Sequence, residues 1–468
     1  MKSHSIHFRM AAAMACVTAA VAVGLGVGCE TGARKSGQQG QPAGLVLLFS
    51  GDDQGVLAAC GCPSNPSGGL AKREALADEI RRARPNSILI DSGDLFPEKP
   101  GAVKLRYVAE AAAGRGHRPF DAIGMGDQEF AVGLPVLREL MENYDLRFIC
   151  SNVYDQAGEF VAAPHIVMEF GGGEEQQAEL RVGIFSVIAD RAYGFPPMEW
   201  RSGLTVESPI EAAEREVLEL MDCDLVVAIS HQPIEDTREL AAKVRGIDII
   251  ISGHDPAVLL KPEKVGDAII VGTGPAGRIL GTIVVAPGPD SRPRFALTMT
   301  ELSAQVPDSR RVIDLYWQYV KEAREQPPPD WDLTPIPGRF EPADVCGKCH
   351  EGELRQWLTT RHARSYEPIR KSGRRDDPEC ILCHTMGYGR PGGFVSIDKT
   401  PPLGRVTCQA CHPVTSDHVE RNVKPEAELR ISSRLCMSCH GPVQSPNFDY
   451  YVAKPKILHR PPAAGSRK

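Results

Sequence analysis

Four copies of one spacing carry most of the chemistry available to this chain. Cys346, Cys349 and His350 spell C-x-x-C-H. So do Cys380, Cys383 and His384, then Cys408, Cys411 and His412, and last Cys436, Cys439 and His440. Two thiols three positions apart can each add to a vinyl group of one haem, and the adjoining histidine then reaches the iron from one face. A zinc site or a redox C-x-x-C would leave the repeated histidines without a role. The spacing predicts four c-type haems. Each iron has a second axial position, and from residue 341 onward only His362, His418 and His459 remain to fill it. Three irons are thus expected to be bis-histidine electron carriers. The fourth is expected to be open, methionine-ligated or capped from elsewhere; Met386 and Met437 lie too near the haem cysteines to fold back on a local iron. An open position is where a small ligand can bind.

A second set of residues lies in the first two thirds. Asp52, Asp91 with Asp94, and Asp127 each follow an apolar run, and His231 and His254 follow two later ones. Polar residues at successive strand ends suggest one site along one sheet edge. Carboxylate with imidazole suits one divalent metal: Mn, Fe or Zn. Between Asp52 and the next helix stands Cys60-Gly61-Cys62-Pro63. Cysteines one residue apart seldom pair with each other. The alternatives are a disulfide to Cys150 or Cys223, or a redox thiol site beside the metal. His117 and His165 have no motif around them and read as ordinary surface or core residues.

Elements must position these groups. Leu45–Phe49, Ser87–Ile90, Ala122–Ile123, Arg181–Ser186, Leu225–Ile229 and Ile247–Ile251 read as buried strands. Leu70–Arg84, Leu134–Tyr144, Pro209–Met221 and Ile234–Val244 read as helices, so the layout is α/β. Residues 307–325 read as an amphipathic helix around Val312, Leu315, Tyr316, Tyr319 and Val320, and the prolines after it as a stiff spacer. From 341 the chain has few apolar runs and many Gly and Pro. It carries 20 Lys and Arg against 14 Asp and Glu, while the whole chain has a net charge of -7. So short a segment could hardly build a core from side chains alone. Without haem it is expected not to fold.

Composition bounds the rest. With 468 residues, 42% hydrophobic and 24% charged, wholesale disorder is excluded, and about two to four domains are expected. Few aromatics and a net negative charge argue against nucleic-acid binding. Lys2 and Arg9 precede an apolar run from Met10 to Gly28, and Cys29 ends it. This reads as an export signal over 1–28, of lipoprotein type with Cys29 lipidated and the protein membrane-attached. Ordinary cleavage and an uncleaved anchor helix are the alternatives. Residues 29–43 read as a flexible tether. The working part would lie in the periplasm or face the cell exterior.

Two resemblances organise these readings. Cys346 through His350-Glu351, Trp357 and His362-Ala363, then Cys408 through His412 and His418, and the closing Phe448-Asp449-Tyr450 with His459, resemble the cytochrome c-554 type of tetrahaem cytochrome. That resemblance implies that His418 caps the first haem, His362 the third and His459 the fourth, leaving the haem on His384 open. Pro413 replaces the glycine usual in that family. Gly51-Asp52-Asp53-Gln54-Gly55, Gly68-Gly69-Leu70-Ala71, Asp91-Ser92-Gly93-Asp94, Gly126-Asp127-Gln128-Glu129-Phe130, Ser230-His231 and Gly253-His254-Asp255-Pro256 resemble the calcineurin-like metallophosphatases of the 5'-nucleotidase branch.

The second resemblance implies an αββα sandwich with two metals. One would take Asp52, residue 54, Asp94 and residue 256; the other Asp94, Asp127, His231 and His254. Here 54 is Gln and 256 is Pro, and Gln128 stands for the catalytic histidine. Two-metal hydrolysis needs both ions, so degenerate catalysis is expected. The implied segments are 44–305 for this fold, 306–340 for a helix and linker, 341–460 for a mostly α, irregular multihaem domain, and 461–468 for a disordered tail. The leading function is electron transfer between redox partner proteins, with the front domain binding a partner or small-molecule ligand. One alternative is a redox enzyme acting on a small nitrogen or sulfur compound at the open haem or at Cys60/Cys62. The other is an atypical metal-dependent phosphoesterase.

Overall fold

The computed structural model describes residues 44–59, 67–97, 101–114, 119–171, 180–189, 203–254, 258–286, 293–325, 339–412, 416–421, 423, 431–441, 444–445 and 447–459. The expected export signal, Cys29, the tether, Cys60, Cys62, His117, Pro256, Pro413 and the tail lie outside them.

The apolar runs become strands buried on both faces, which is why they read as continuous rather than alternating. One six-stranded sheet holds β1 (Leu45–Ser50), β2 (Ser87–Asp91), β3 (Ala122–Gly124), β4 (Phe148–Ile149), β13 (Ile279–Ala286) and β14 (Arg294–Glu301), in the order β14-β13-β1-β2-β3-β4. A second holds β6 (His165–Phe170), β7 (Leu180–Ile188), β9 (Leu225–His231), β10 (Ile249–Gly253), β11 (Glu263–Val265) and β12 (Ala268–Gly272), in the order β11-β12-β10-β9-β7-β6. A ribbon of β5 (Val153–Tyr154) and β8 (Thr205–Val206) completes the set. Alternation along β1 divides its residues between two cores. Leu45, Leu47 and Phe49 meet Val227, Ile229 and Ile251 of the second sheet. Val46 and Leu48 face the helices α1 (Leu70–Ala83) and α2 (Ala102–Ala113). On the outer side of the second sheet, Phe185, Val226 and Ile250 pack with α5 (Pro209–Glu219) and α6 (Ile234–Lys243). The result is the four-layer αββα sandwich.

One ion cluster pins the first sheet to α1. Arg73, fully buried, reaches Asp53 Oδ2 at 2.5 Å and Asp91 Oδ2 at 2.8 Å, and its guanidinium lies 4.4 Å from the centre of the Phe120 ring. Burial, then the Asp53 charge, push the Asp91 carboxyl well above the usual range, against the pull of Arg73.

Two further helices lead to the site and the junction: α3 (Asp127–Ala131) and α4 (Leu134–Tyr144). The amphipathic segment forms α7 (Arg310–Ala323). Ser309 caps it, accepting from the Val312 amide at 3.4 Å and donating to Glu74 Oε1 at 2.6 Å. Its buried stripe is Val312, Leu315, Tyr316, Tyr319 and Val320, as the periodicity predicts. The proline-rich spacer after it lies outside the described residues; α7 itself packs on α1 and α2 and touches the C-terminal segment directly, Tyr316 Oη donating to Asp377 at 2.5 Å.

The C-terminal segment is built from short helices: α8 (Ala343–Gly347), α9 (Glu351–Leu358), α10 (Tyr366–Lys371), α11 (Pro378–His384), α12 (Ser416–Arg421), α13 (Ser433–Met437) and α14 (Tyr450–Ala453). Phe340, Tyr366, Ile369, Ile381, Met386, Phe394 and Leu403 form a small core. Among the described residues, none after Gln409 is buried. No described helix is long and apolar enough to cross a membrane.

Candidate metal and haem sites

Asp94 follows β2, Asp127 opens α3 after β3, His231 ends β9, and His254 follows β10. Their donor atoms all lie within 4.8 Å of one another. His231 Nε2 is 3.4 Å from Asp94 Oδ1 and 3.3 Å from Asp127 Oδ1; His254 Nδ1 is 3.1 Å from the same Asp127 oxygen. The expectation of a single sheet edge is corrected: the two carboxylates come from one sheet and the two imidazoles from the other. The sandwich brings the strand ends of both sheets to one place.

The surroundings aim the donors. His231 Nδ1 lies 2.8 Å from the Ser92 carbonyl, so that nitrogen carries the proton and Nε2 is left for a metal. Glu129 accepts from the amides of Asp94 (2.9 Å), Gly126 (2.8 Å) and Phe96 (3.1 Å), locking the Asp94 loop to α3. A Cβ on Gly126 would fall 2.2 Å from Asp94 Oδ1, so only glycine lets these groups approach. Asp94 and His254 both sit at positive φ, +56° and +64°, where side chains cost strain that the surrounding contacts must hold.

Charge is concentrated here. Burial works against ionising Asp127, but hydrogen bonds from His231 and His254 win and hold its carboxyl below the usual range. Burial also disfavours a charged His231; the Asp94 and Asp127 carboxylates outweigh it and raise its pKa well above the ordinary value. Burial, then the Asp94 charge, push Glu129 up to about 7. Two carboxylates and two imidazoles converging this closely fit one divalent cation.

Asp52, expected among the ligands, lies outside the four-donor cluster. It is buried beside it, and desolvation followed by the charges of Asp94 and Asp127 raises its pKa. Gln54 contributes its amide to the Asp94 carbonyl at 2.8 Å. The disulfide alternative falls on Cys60 and Cys62, which lie outside the described residues. Cys150 and Cys223 are free thiols. Burial drives the Cys150 thiol up to about 12, and Cys223 lies instead beside Gly183 of β7. The Arg73 cluster and Glu129 were not foreseen. The acidic residues flanking each motif were the available signal.

In the C-terminal segment three pairs of imidazoles face each other. Ring centres are 6.1 Å apart for His350 and His418, for His362 and His440, and for His412 and His459. Two imidazoles sharing one metal put their centres roughly 6 Å apart when each metal–nitrogen bond is about 2 Å. The first pair is the expected one. The other two are exchanged: His362 faces the fourth motif and His459 the third. Long-range folding makes that choice, since α9 lies against residues about a hundred positions later: Gln356 Oε1 accepts from His459 Nδ1 at 2.9 Å. His418 Nδ1 likewise meets the Val423 carbonyl at 3.0 Å, and His384 Nδ1 the Ser365 carbonyl at 2.5 Å. Each Nδ1 must then be the donor, which leaves Nε2 free to ligate. Burial lowers the pKa of His362, His412 and His440, which favours the neutral, ligating form. Among the described residues no imidazole is paired with His384 in this way.

The eight motif cysteines stand here as free thiols in place of thioether sulfurs. Cys346 hydrogen-bonds Cys408, and Cys383 hydrogen-bonds Cys439. Cys411 lies near Cys436 and Cys439. The motifs therefore run first, third, fourth, second in space.

Residues 345–413 match the family described as cytochrome c554 and c-prime. Cytochrome c-554 of Nitrosomonas europaea is 27% identical over 88 residues, 16% of this chain and 37% of that protein. The front region is 26% identical over 227 residues to the trifunctional nucleotide phosphoesterase YfkN of Bacillus subtilis, covering 43% of this chain and 15% of that protein. Human 5'-nucleotidase is 26% identical over 230 residues, 46% of this chain and 38% of that protein. This chain joins a 5'-nucleotidase-like phosphoesterase fold to a cytochrome c554-type segment. It spans less than two fifths of the length of each of these relatives. Two solved structures share the phosphoesterase fold. A 5'-nucleotidase precursor of Thermus thermophilus has a TM-score of 0.51 at 20% identity, over 60% of this chain and 59% of that one. The Thermus sulfate thiohydrolase SoxB has 0.50 at 16% identity, over 60% and 61%. The phosphoesterase fold thus accounts for the carboxylate–imidazole cluster, and the cytochrome c554-type segment for the facing imidazoles.

Proposed function

We propose that this protein is an exported, lipid-anchored electron carrier with four c-type haems, joined to a phosphoesterase fold that binds one divalent ion and does not hydrolyse phosphoesters. The observation that carries the reading is the three imidazole pairs at 6.1 Å. Each pair would hold one iron, and two imidazole ligands would make that haem a low-spin electron carrier. His350 works with His418, His412 with His459 and His440 with His362. His384 would hold the remaining haem, with no facing imidazole among the described residues. In the front domain Asp94, Asp127, His231 and His254 hold the ion, of the Mn, Fe or Zn class. Gln54, Pro256 and Gln128 remove the second ion and the catalytic imidazole that two-metal hydrolysis requires. Export follows from residues 1–28, with Cys29 as the lipidated residue.

The test is a pyridine haemochrome assay with EPR on one purified sample, after expression with a working cytochrome maturation system. Four haems per chain, three low-spin and one high-spin, are expected; a colourless protein overturns the proposal. A second reading, a redox enzyme acting on a small nitrogen or sulfur compound, draws on the unpaired imidazole of His384. A high-spin signal that nitric oxide alters would favour it. Phosphate release from nucleotides with added manganese, abolished in Asp94→Ala, would instead restore a phosphoesterase.

A further inference from the structure

The second haem motif is where the phosphoesterase fold meets the cytochrome segment. Tyr316 Oη donates to Asp377 Oδ2 at 2.5 Å, and Tyr319 Oη donates to Glu379 Oε1 at 3.0 Å. Lys104 of α2, itself buried, pairs with that same Glu379 oxygen at 2.9 Å and lies 4.6 Å from the centre of the Tyr319 ring. Asp377 is buried at the N-cap of α11, where Oδ1 accepts from the Glu379 amide at 3.0 Å. Its Oδ2 is 3.4 Å from Cys380 Sγ, the atom that stands in for a thioether sulfur. Glu379 directly precedes Cys380. Two carboxylates thus sit at the attachment point of one haem, and groups from the other fold hold both.

These contacts have an electrostatic consequence. Ferric haem carries one more positive charge than ferrous haem. A fixed anion beside it favours the ferric form, a fixed cation the ferrous form, and burial weakens the screening of either. Burial raises both tyrosine hydroxyls above their ordinary range, so they stay protonated as donors. Lys104 also packs beside the loop that follows β1. Its Cε lies 3.2 Å from where a Cβ on Gly55 would be, and Gly55 follows Gln54, whose amide binds the Asp94 carbonyl.

We propose that Tyr316 and Lys104 are positioning residues for the haem bound at Cys380, Cys383 and His384. Through them the phosphoesterase fold sets that haem's reduction potential independently of the other three. This deepens the electron-carrier reading and rests on haem attachment at this motif.

The experiment is a spectroelectrochemical titration of the full-length, haem-loaded protein that separates the high-spin component from the low-spin ones. Asp377→Asn keeps a capping side chain and removes one negative charge. It should favour reduction of the high-spin haem about tenfold, about 59 mV upward for one electron. Lys104→Met removes the opposing charge and should shift the same component downward by a similar factor. Lys104→Arg should restore it. The three low-spin components should not move. No shift in either variant, or an equal shift of all four haems, overturns the proposal. If Lys104→Met loses its low-spin spectrum it has misfolded, and Lys104→Gln, which removes the same charge with a polar side chain, decides; Asp377→Asn alone does not. Haem content on the same samples reports separately on attachment: fewer than four per chain would count against the carrier reading rather than against this one.

Discussion

The two ends of this molecule are stabilised by different means. The αββα region buries rows of Leu, Ile and Val from both sheets and even encloses an Arg–Asp cluster. Among its described residues the cytochrome c554-type segment has two small apolar clusters, one of them only Ala343, Trp357 and Ala363, and past Gln409 no described residue is buried. A chain can specify the first region through side chains alone. In the second, histidines and thiols are placed where a core would be, and the burial must come from a bound group. Exposed Tyr451, Val452 and Met437 in this segment mark apolar surface left for such a group.

That contrast can be broken experimentally. The largest effect should follow expression of the full chain without haem maturation. Residues after about 340 should then be digested rapidly by protease while the front region stays resistant, because binding and folding are one equilibrium in such segments. Equal resistance of both regions would refute the contrast.

Next in size is Arg73→Met. It strands the Asp53 and Asp91 carboxylates in the interior, which should cost about 3–5 kcal/mol in chemical denaturation of the front region. The haem spectra should hardly change. His362→Ala should act in the opposite way, converting one low-spin haem to high-spin by EPR and leaving the front region's unfolding midpoint in place.

The smallest effect concerns the carboxylate–imidazole cluster. His231 has a raised pKa, so the metal-free site holds a proton that an incoming ion must displace. Metal affinity should therefore fall as pH drops below that pKa, by about tenfold per pH unit for one displaced proton. Calorimetry in two buffers of different ionisation enthalpy measures the released proton. Affinity independent of pH would show that His231 is neutral before binding, and Asp127→Ala should abolish uptake.

Much of this was legible in the residues. The C-x-x-C-H repeats are local, three side chains in five positions, and need no fold to be read. The stripe of α7 is equally local, since helical periodicity alone puts Val312, Leu315, Tyr316, Tyr319 and Val320 on one side. The strand runs were legible because burial on both faces leaves no polar positions. Asp94, Asp127, His231 and His254 could be chosen as strand-end residues. Their division between two sheets could not, because sheet membership depends on pairings between distant segments such as β1 with β13.

Other features belong only to the tertiary structure. Which histidine faces which motif depends on contacts spanning about a hundred residues, such as Gln356 with His459. Asp52 stands outside the donor cluster, and Tyr316 meets Asp377, for the same reason. The sequence by itself determined which groups could bind haem and metal, because those identities are covalent. Only the folded chain decided which of them meet. Ångström-scale coordination is set by how long-range elements pack, and spacing along the chain carries no record of that.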